Sequence, residues 1–218
     1  MLFLLTGDVQ IGKTRWLENL CASLQAAGTC VAGVVAPGQW VPRPEGQPDG
    51  KHGFDGAGRF EKLSIDNVLL PQGKRIEFAR RRDLAAGGKA FAEGAQAKAA
   101  KLGWAISDTA IAQVNAHFAM LAKQTANETE LAPHAMLVVD ELGRLELLRG
   151  CGLTNALAIL DAGPTPQFPH AIAVVRETLL DEARRRFEPH WGKVTVIGPD
   201  DAARNLVLET ARSAGGAH

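Results

Sequence analysis

Eight consecutive residues, Gly7-Asp8-Val9-Gln10-Ile11-Gly12-Lys13-Thr14, satisfy the pattern G-x-x-x-x-G-K-[ST] at every constrained position. The chemistry this spacing serves is the capture of phosphate. Glycines admit backbone conformations and close approaches that a Cβ would obstruct. Successive N–H groups can then converge on a β-phosphate at the positive end of the following helix. Lys13 is expected to reach the β- and γ-oxygens as a point charge, and Thr14 to offer its hydroxyl to Mg²⁺. The nucleotide-binding set is Gly7, Asp8, Val9, Gln10, Ile11, Gly12, Lys13 and Thr14, with Arg15 beside them. Asp8 must face solvent, because an inward carboxylate would repel phosphate oxygens. Four fixed positions recur by chance in roughly one chain of this length per hundred. The placement of this match between a strand pattern and a helix pattern is what separates it from chance.

A second constellation begins at residues 136–139, Met-Leu-Val-Val, an apolar run that ends in Asp140-Glu141. Ligands of parallel sheets lie beyond the carboxyl ends of the strands, so both acids should stand near Lys13 and Thr14. Asp140 is the expected partner of Thr14 around Mg²⁺. Glu141 is expected to orient or deprotonate an attacking water. A kinase must exclude water and position an acceptor hydroxyl, so Glu141 favours hydrolysis. Arg144, just past Gly143, is placed to reach the γ-phosphate or a transition-state oxygen; its plainer role is a solvated helix-start residue. The catalytic candidates are thus Glu141, Lys13 and Arg144, and the metal candidates Thr14 and Asp140. Glu146 either holds Arg144 or Lys13 in place or forms a surface ion pair.

The elements that must carry these residues can be read from periodicity. Leu2–Leu5 is a short buried-strand pattern. Trp16, Leu17, Leu20 and Leu24 recur at helical spacing, with Gly28 as a stop, and Val31–Val35 is a second β-branched run. This is a βαβ opening with a parallel sheet. Residues 33–58 are dense in proline and glycine and read as a long loop. Residues 60–65 and 75–78 are expected to pair as a hairpin across Pro71-Gln72-Gly73. The Ala-, Gly- and Lys-rich stretch 83–103 reads as a surface segment, partly helical. Ser107 or Asp108 then caps a helix with the stripe Ile111, Val114, Phe118 and Leu121. The remainder alternates: helix 153–160, strand 171–175, helix 177–186, strand Val194–Ile197 and helix 201–211. The fold class is α/β, a doubly wound single domain over 1–218 with an insertion at about 37–103.

Two arginine runs, 80–82 and 184–186, invite comparison with arginine fingers. The second ends a helix that begins at Glu177, where the dipole alone favours cations. A structural role is expected there, while the first run, in the insertion, could cover a nucleotide. Trp40 either stacks on a base or packs half-buried. The histidines lack metal-ligand spacing.

Composition narrows the remaining classes. In 218 residues, 24 basic groups balance 24 acidic ones, so there is no basic excess to follow a nucleic-acid backbone. Cys21, Cys30 and Cys151 are odd in number and widely spaced, and read as free thiols, the first two buried. No stretch approaches the roughly 20 apolar residues of a membrane span; the cytoplasm is the expected location.

The chain resembles the small P-loop nucleoside-triphosphatases of the cancer-related nucleoside-triphosphatase type. The resemblance rests on Thr6-Gly7, Gly12-Lys13-Thr14, His52-Gly53-Phe54 and above all Asp140-Glu141-Leu142-Gly143-Arg144-Leu145-Glu146-Leu147. It is carried by residues 2–35 and 135–200. It implies a three-layer P-loop fold, RecA-like, mainly parallel with added antiparallel strands. It also implies Mg²⁺-dependent hydrolysis of ATP, GTP and other nucleotides to diphosphate and phosphate. The chain departs from the family at Asp8 and Gln10, where small residues are usual, and at Arg15. It departs again across 37–51, which is proline-rich here, and at Val175-Arg176, where relatives carry small polar residues or histidine. Two other readings stay open: a nucleotide-binding adaptor that switches contact with a protein partner, and a small-molecule kinase.

Overall fold

The computed structural model describes residues 1–8, 11–42, 60–82, 91, 93–99, 104–126 and 134–215. His52-Gly53-Phe54, Val9 and Gln10, most of the proline-rich loop and most of 83–103 lie outside these residues. The described strands are β1 (Leu2–Leu5), β2 (Val31–Val35), β3 (Gly38–Pro42), β4 (Phe60–Leu70), β5 (Lys74–Arg81), β6 (Trp104–Ile106), β7 (Met136–Leu142), β8 (His170–Val175) and β9 (Val194–Ile197). They form one sheet in the order β6-β5-β4-β2-β7-β8-β1-β9, with β3 paired to β4. From β2 to β9 every pairing is parallel; the pairings among β2, β4, β3, β5 and β6 are antiparallel.

The helices are α1 (Lys13–Ala26), α2 (Ala95–Ala99), α3 (Asp108–Ala126), α4 (Arg144–Arg149), α5 (Thr154–Asp161), α6 (Leu180–Trp191) and α7 (Asp201–Gly215). They cover both faces of the parallel half, as the period-2 alternation of side chains requires. Phe3 and Leu5 point to Leu17, Leu20 and Leu24 of α1 and to Val207 of α7. Leu2 and Leu4 point the other way, into a core shared with Phe118 of α3, Leu157 of α5 and Phe187 of α6. The result is three layers, helix on sheet on helix, which is the expected α/β class. Among the described residues no helix is long and apolar enough to cross a membrane.

The antiparallel strands β3–β6 make a wing on the β2 side, and it is more regular than the sequence suggested. β3 lies inside the stretch read as loop. Pro42 ends it, and β3 pairs with β4 alone among the described residues, so the missing proline N–H breaks no ladder. β4 runs for 11 residues rather than six. Its register slips at Leu63 opposite β3, and that of β5 slips at Phe78; such slips disrupt the strict alternation by which strands are recognised. β6 directly follows the stretch read as a surface segment and escapes sequence reading, because three residues carry too little pattern. After β8 the chain makes a 3₁₀ turn, Glu177–Leu179, and the helix then continues to Trp191, five residues past the expected end. The indole of Trp191 donates to Leu160 O at 2.7 Å and docks that last turn.

The position of the wing bears on ligand binding. The last β2–β4 pair is Val35↔Val68, while β4 also runs alongside β3 through residues 60–65. A wall of antiparallel strands therefore extends past the carboxyl end of β2, the edge where ligands of such sheets sit.

Candidate functional site

The turn from β1 into α1 begins with backbone that only glycine adopts freely: Gly7 has φ 134° and Gly12 φ 94°. α1 opens on Lys13, Thr14 and Arg15 with no side-chain cap and no acid in its first turn. The first N–H groups of a helix have no partner within it, and the dipole makes that end positive. Two cations added there oppose ordinary helix stability and suit an anion instead. The Lys13 ammonium donates to Gly7 O at 2.7 Å and to Asp8 O at 2.6 Å, which folds it along the turn. Burial lowers the Lys13 pKa. Glu141, Asp140 and Asp8 oppose that shift, and the charge of Arg176 adds to it. Those four charged groups all lie within Coulombic reach of the lysine. Asp8, Ile11 and Arg15 are exposed.

Asp140 sits at the end of β7, 3% exposed. Its Oδ2 accepts the Ala36 N–H at 2.8 Å, and its carboxylate also accepts from the Thr14 hydroxyl. Burial raises its pKa to about 7, and Glu141 pushes in the same direction; the Ala36 and Thr14 hydrogen bonds and the Lys62 charge act the other way. Adjacent residues of a regular strand point to opposite faces, so Asp140 and Glu141 could not share a site on an ideal β7. Between Val139↔Ala173 and Leu142↔Val175, β7 spends three steps where β8 spends two. That bulge contains Glu141 at φ 70°, a conformation rare outside glycine. Such a residue costs on the order of 1–3 kcal/mol and persists only where the surroundings enforce it. Bulges re-aim side chains beside sites, and here the bulge lets two neighbouring carboxylates both act on Lys13.

The Gly143 turn and α4 come next. Glu146 pairs with neither Arg144 nor Lys13, and it is not on the surface: it is 5% exposed. Its Oε2 accepts the Gly143 N–H at 2.9 Å and its Oε1 the Leu153 N–H at 3.0 Å. This carboxylate at the third helical position closes the start of α4 onto the start of α5, the reach-back half of a capping box. Burial raises its pKa, with the backbone donors opposing the rise. Gly152 (φ 75°) makes room, since a Cβ there would lie 2.1 Å from Glu146 Oε1. Arg144 opens α4 and is exposed.

Two residues near the acids were missed as site members. Lys62, on the wing, contributes to the field at Asp140. Arg176 is the first residue after β8, and its Nη2 donates to Glu141 Oε1 at 3.2 Å. The signal for Arg176 was present: a charged residue directly after an apolar strand, the same pattern that marked Asp140. The two arginine runs have local partners instead. Arg80 pairs with Glu77, Arg81 with Glu61 and Arg82 with Glu93; Arg184 pairs with Glu188, Arg185 with Glu182 and Arg186 with Asp161. Trp40 is half-buried with the Lys62 ammonium 5.3 Å from the centre of its ring. Cys21 is buried, with its pKa pushed up to about 12, chiefly by burial; Cys30 is only half-buried.

The donor set suits Mg²⁺. That ion takes hard oxygen ligands, keeps several waters, and is held by one or two carboxylates together with substrate phosphates. Thr14 and Asp140 supply a hydroxyl and a carboxylate already in contact, and among the described residues the buried Asp140 forms no salt bridge. Among the described residues no cluster of three or more His, Cys, Asp or Glu could hold a metal unaided.

In the parallel half the strands stand in the order β9-β1-β8-β7-β2, with the glycine turn after β1 and the acid pair in the last residues of β7. Taken in chain order these are strands 5-1-4-3-2, and the three-layer fold is that of the P-loop nucleoside-triphosphatases, RecA-like with added antiparallel strands. The crystal structure of THEP1 from the hyperthermophile Aquifex aeolicus superposes on it with a TM-score of 0.56, covering 96% of each chain at 14% identity. The solution structure of a human cancer-related nucleoside triphosphatase covers 99% of this chain and 96% of its own, at 20% identity and a TM-score of 0.49. No protein-family model matches the chain, and no curated protein matches it in sequence.

Proposed function

We propose that this protein binds a nucleoside triphosphate with Mg²⁺ and hydrolyses it to the diphosphate and inorganic phosphate, with little selection among bases. The observation that carries the reading is the contact between Thr14 and Asp140 beside an uncapped, cation-bearing helix start. The triphosphate tail lies in the turn 7–14, with its β-phosphate on the backbone N–H groups of that turn. Lys13 exchanges its bonds to Gly7 O and Asp8 O for phosphate oxygens. Thr14 and Asp140 would hold the metal ion, which would supply neutralisation of the phosphate charge. Glu141 orients a water in line with the γ-phosphorus and accepts its proton. The water oxygen bonds to phosphorus as the bond from phosphorus to the β,γ-bridging oxygen breaks, and the diphosphate leaves with that electron pair. Arg144, exposed at the start of α4, is the candidate for a terminal phosphate oxygen.

Glu141→Gln tests the assignment, because it keeps shape while removing the base. Triphosphate affinity should stay within about threefold, while the steady rate of phosphate release should drop by roughly 10²-fold or more. Equal release by the variant and the parent protein removes Glu141 from this role. Nanomolar binding with negligible release by both would point instead to a nucleotide-dependent adaptor.

A further inference from the structure

β8 lies between β1 and β7, so the residue after Val175 stands between the phosphate-type turn and the acid pair. That residue is Arg176, held in extended backbone (φ −67°, ψ 144°) at the start of a 3₁₀ turn. Its guanidinium meets Glu141, the residue assigned to the attacking water, at 3.2 Å, with the two side chains 53% and 41% exposed. It also acts on Lys13 through space. Arg176 thus attracts the base and repels the lysine ammonium, and among the described residues its ion pair is with Glu141.

We propose that Arg176 is a catalytic cation that recognises the γ-phosphate: without nucleotide it rests on Glu141, and on triphosphate binding its guanidinium moves to the terminal phosphate and frees that carboxylate for water. The proposal rests on the triphosphatase reading above. An exposed ion pair is worth little in water and is easily exchanged. A terminal phosphate offers more negative charge and two oxygens that match the planar fork of arginine. The same exchange explains why a base with a bound cation does not disable the site: the ligand that needs the base removes the cation. A diphosphate lacks the group that draws Arg176 away, so Glu141 stays occupied until the next triphosphate arrives. During turnover the guanidinium stays on the phosphoryl oxygens as charge develops there. The water proton passes to Glu141, and the bond from phosphorus to the bridging oxygen breaks as the new P–O bond forms.

The test compares Arg176→Ala and Arg176→Lys with the parent protein in two readouts. Binding is measured with a β,γ-methylene triphosphate analogue and with the diphosphate; turnover is measured as phosphate release. Arg176→Ala should weaken the triphosphate analogue by roughly tenfold or more while leaving the diphosphate within about twofold. It should also slow release by about 10²-fold. Arg176→Lys, which keeps the charge and loses the fork, should fall between. In a Glu141→Gln background, Arg176→Ala should still lower triphosphate affinity, because the contact is with phosphate. Faster release by Arg176→Ala would make the pair a simple brake and overturn the proposal. Unchanged triphosphate preference together with unchanged release would make it a surface ion pair and overturn it equally. Selective loss of triphosphate affinity in a protein that releases no phosphate would keep Arg176 as a γ-phosphate reader and reject hydrolysis.

Discussion

On the wing, arginines and acids answer one another within a dozen residues or so of chain or between neighbouring strands. Arg80 meets Glu77, Arg82 meets Glu93, and the buried Arg81 lies 3.7 Å from the buried Glu61. At the carboxyl edge of the parallel half the arrangement differs. Lys13 donates to neutral carbonyls, Asp140 accepts from an amide and a hydroxyl, and Glu141 is held in strained backbone against one exposed arginine. The wing balances charge on the spot, whereas the strand ends leave charge under-compensated around one turn. Local compensation stabilises a fold; charge left partly uncompensated is what a charged ligand can complete.

This contrast can be broken most forcefully at Lys13. Lys13→Ala should weaken triphosphate binding by at least about a hundredfold, as expected for charge-assisted bonds to phosphate, with no loss of thermal stability. Calorimetric titration and a melt on one preparation decide it; a variant that binds normally would place the ligand elsewhere. On the wing the opposite result is expected. Arg81→Met leaves Glu61 buried without its partner and should cost about 3 kcal/mol in urea unfolding. Turnover per folded molecule should hold, and a variant stable but inactive would move this arginine into the site.

The smallest effect concerns Asp140 in the absence of divalent cations. Its pKa rises from 3.8 in the unfolded chain to about 7 in the folded one. Between those values the folded state holds the proton more tightly. Metal-free stability should therefore fall as pH rises from about 4 through 7, and the penalty is complete above 7. Asp140→Asn should flatten that slope and, at pH 8 with chelator, raise the melting temperature by on the order of 5 °C, while abolishing the response to Mg²⁺. A variant less stable than the parent at pH 8 would show the carboxylate to be better satisfied than its burial indicates.

Much of the parallel half was legible because its local rules agree. β1, β2 and β9 match their apolar runs, α1 buries Leu17, Leu20 and Leu24 at helical spacing, and Gly28 (φ 84°) ends it. The wing was legible only as a hairpin. Polar residues at Ser64, Asp66 and Asn67, two register slips and a terminal proline all weaken the period-2 signal. Glu146 was misjudged because a glutamate in a six-residue helix carries no mark of burial. Its partners are the amides of Gly143 and Leu153, and the latter lies in the loop beyond that helix.

The order of residues alone determined the glycine turn, the lysine and threonine that open α1, and the acid pair at the end of an apolar strand, because each depends on neighbours within one turn or one strand. Tertiary structure decided which strands stand side by side. The choice joins strands more than a hundred residues apart, as in Leu2↔Ala171 and Val31↔Met136, which no local pattern can name, and it put β8, and with it Arg176, between β1 and β7. The bulge at Glu141 belongs to the same level: no local preference places a glutamate at φ 70°, and only β7 held against β8 makes that backbone the lowest in energy.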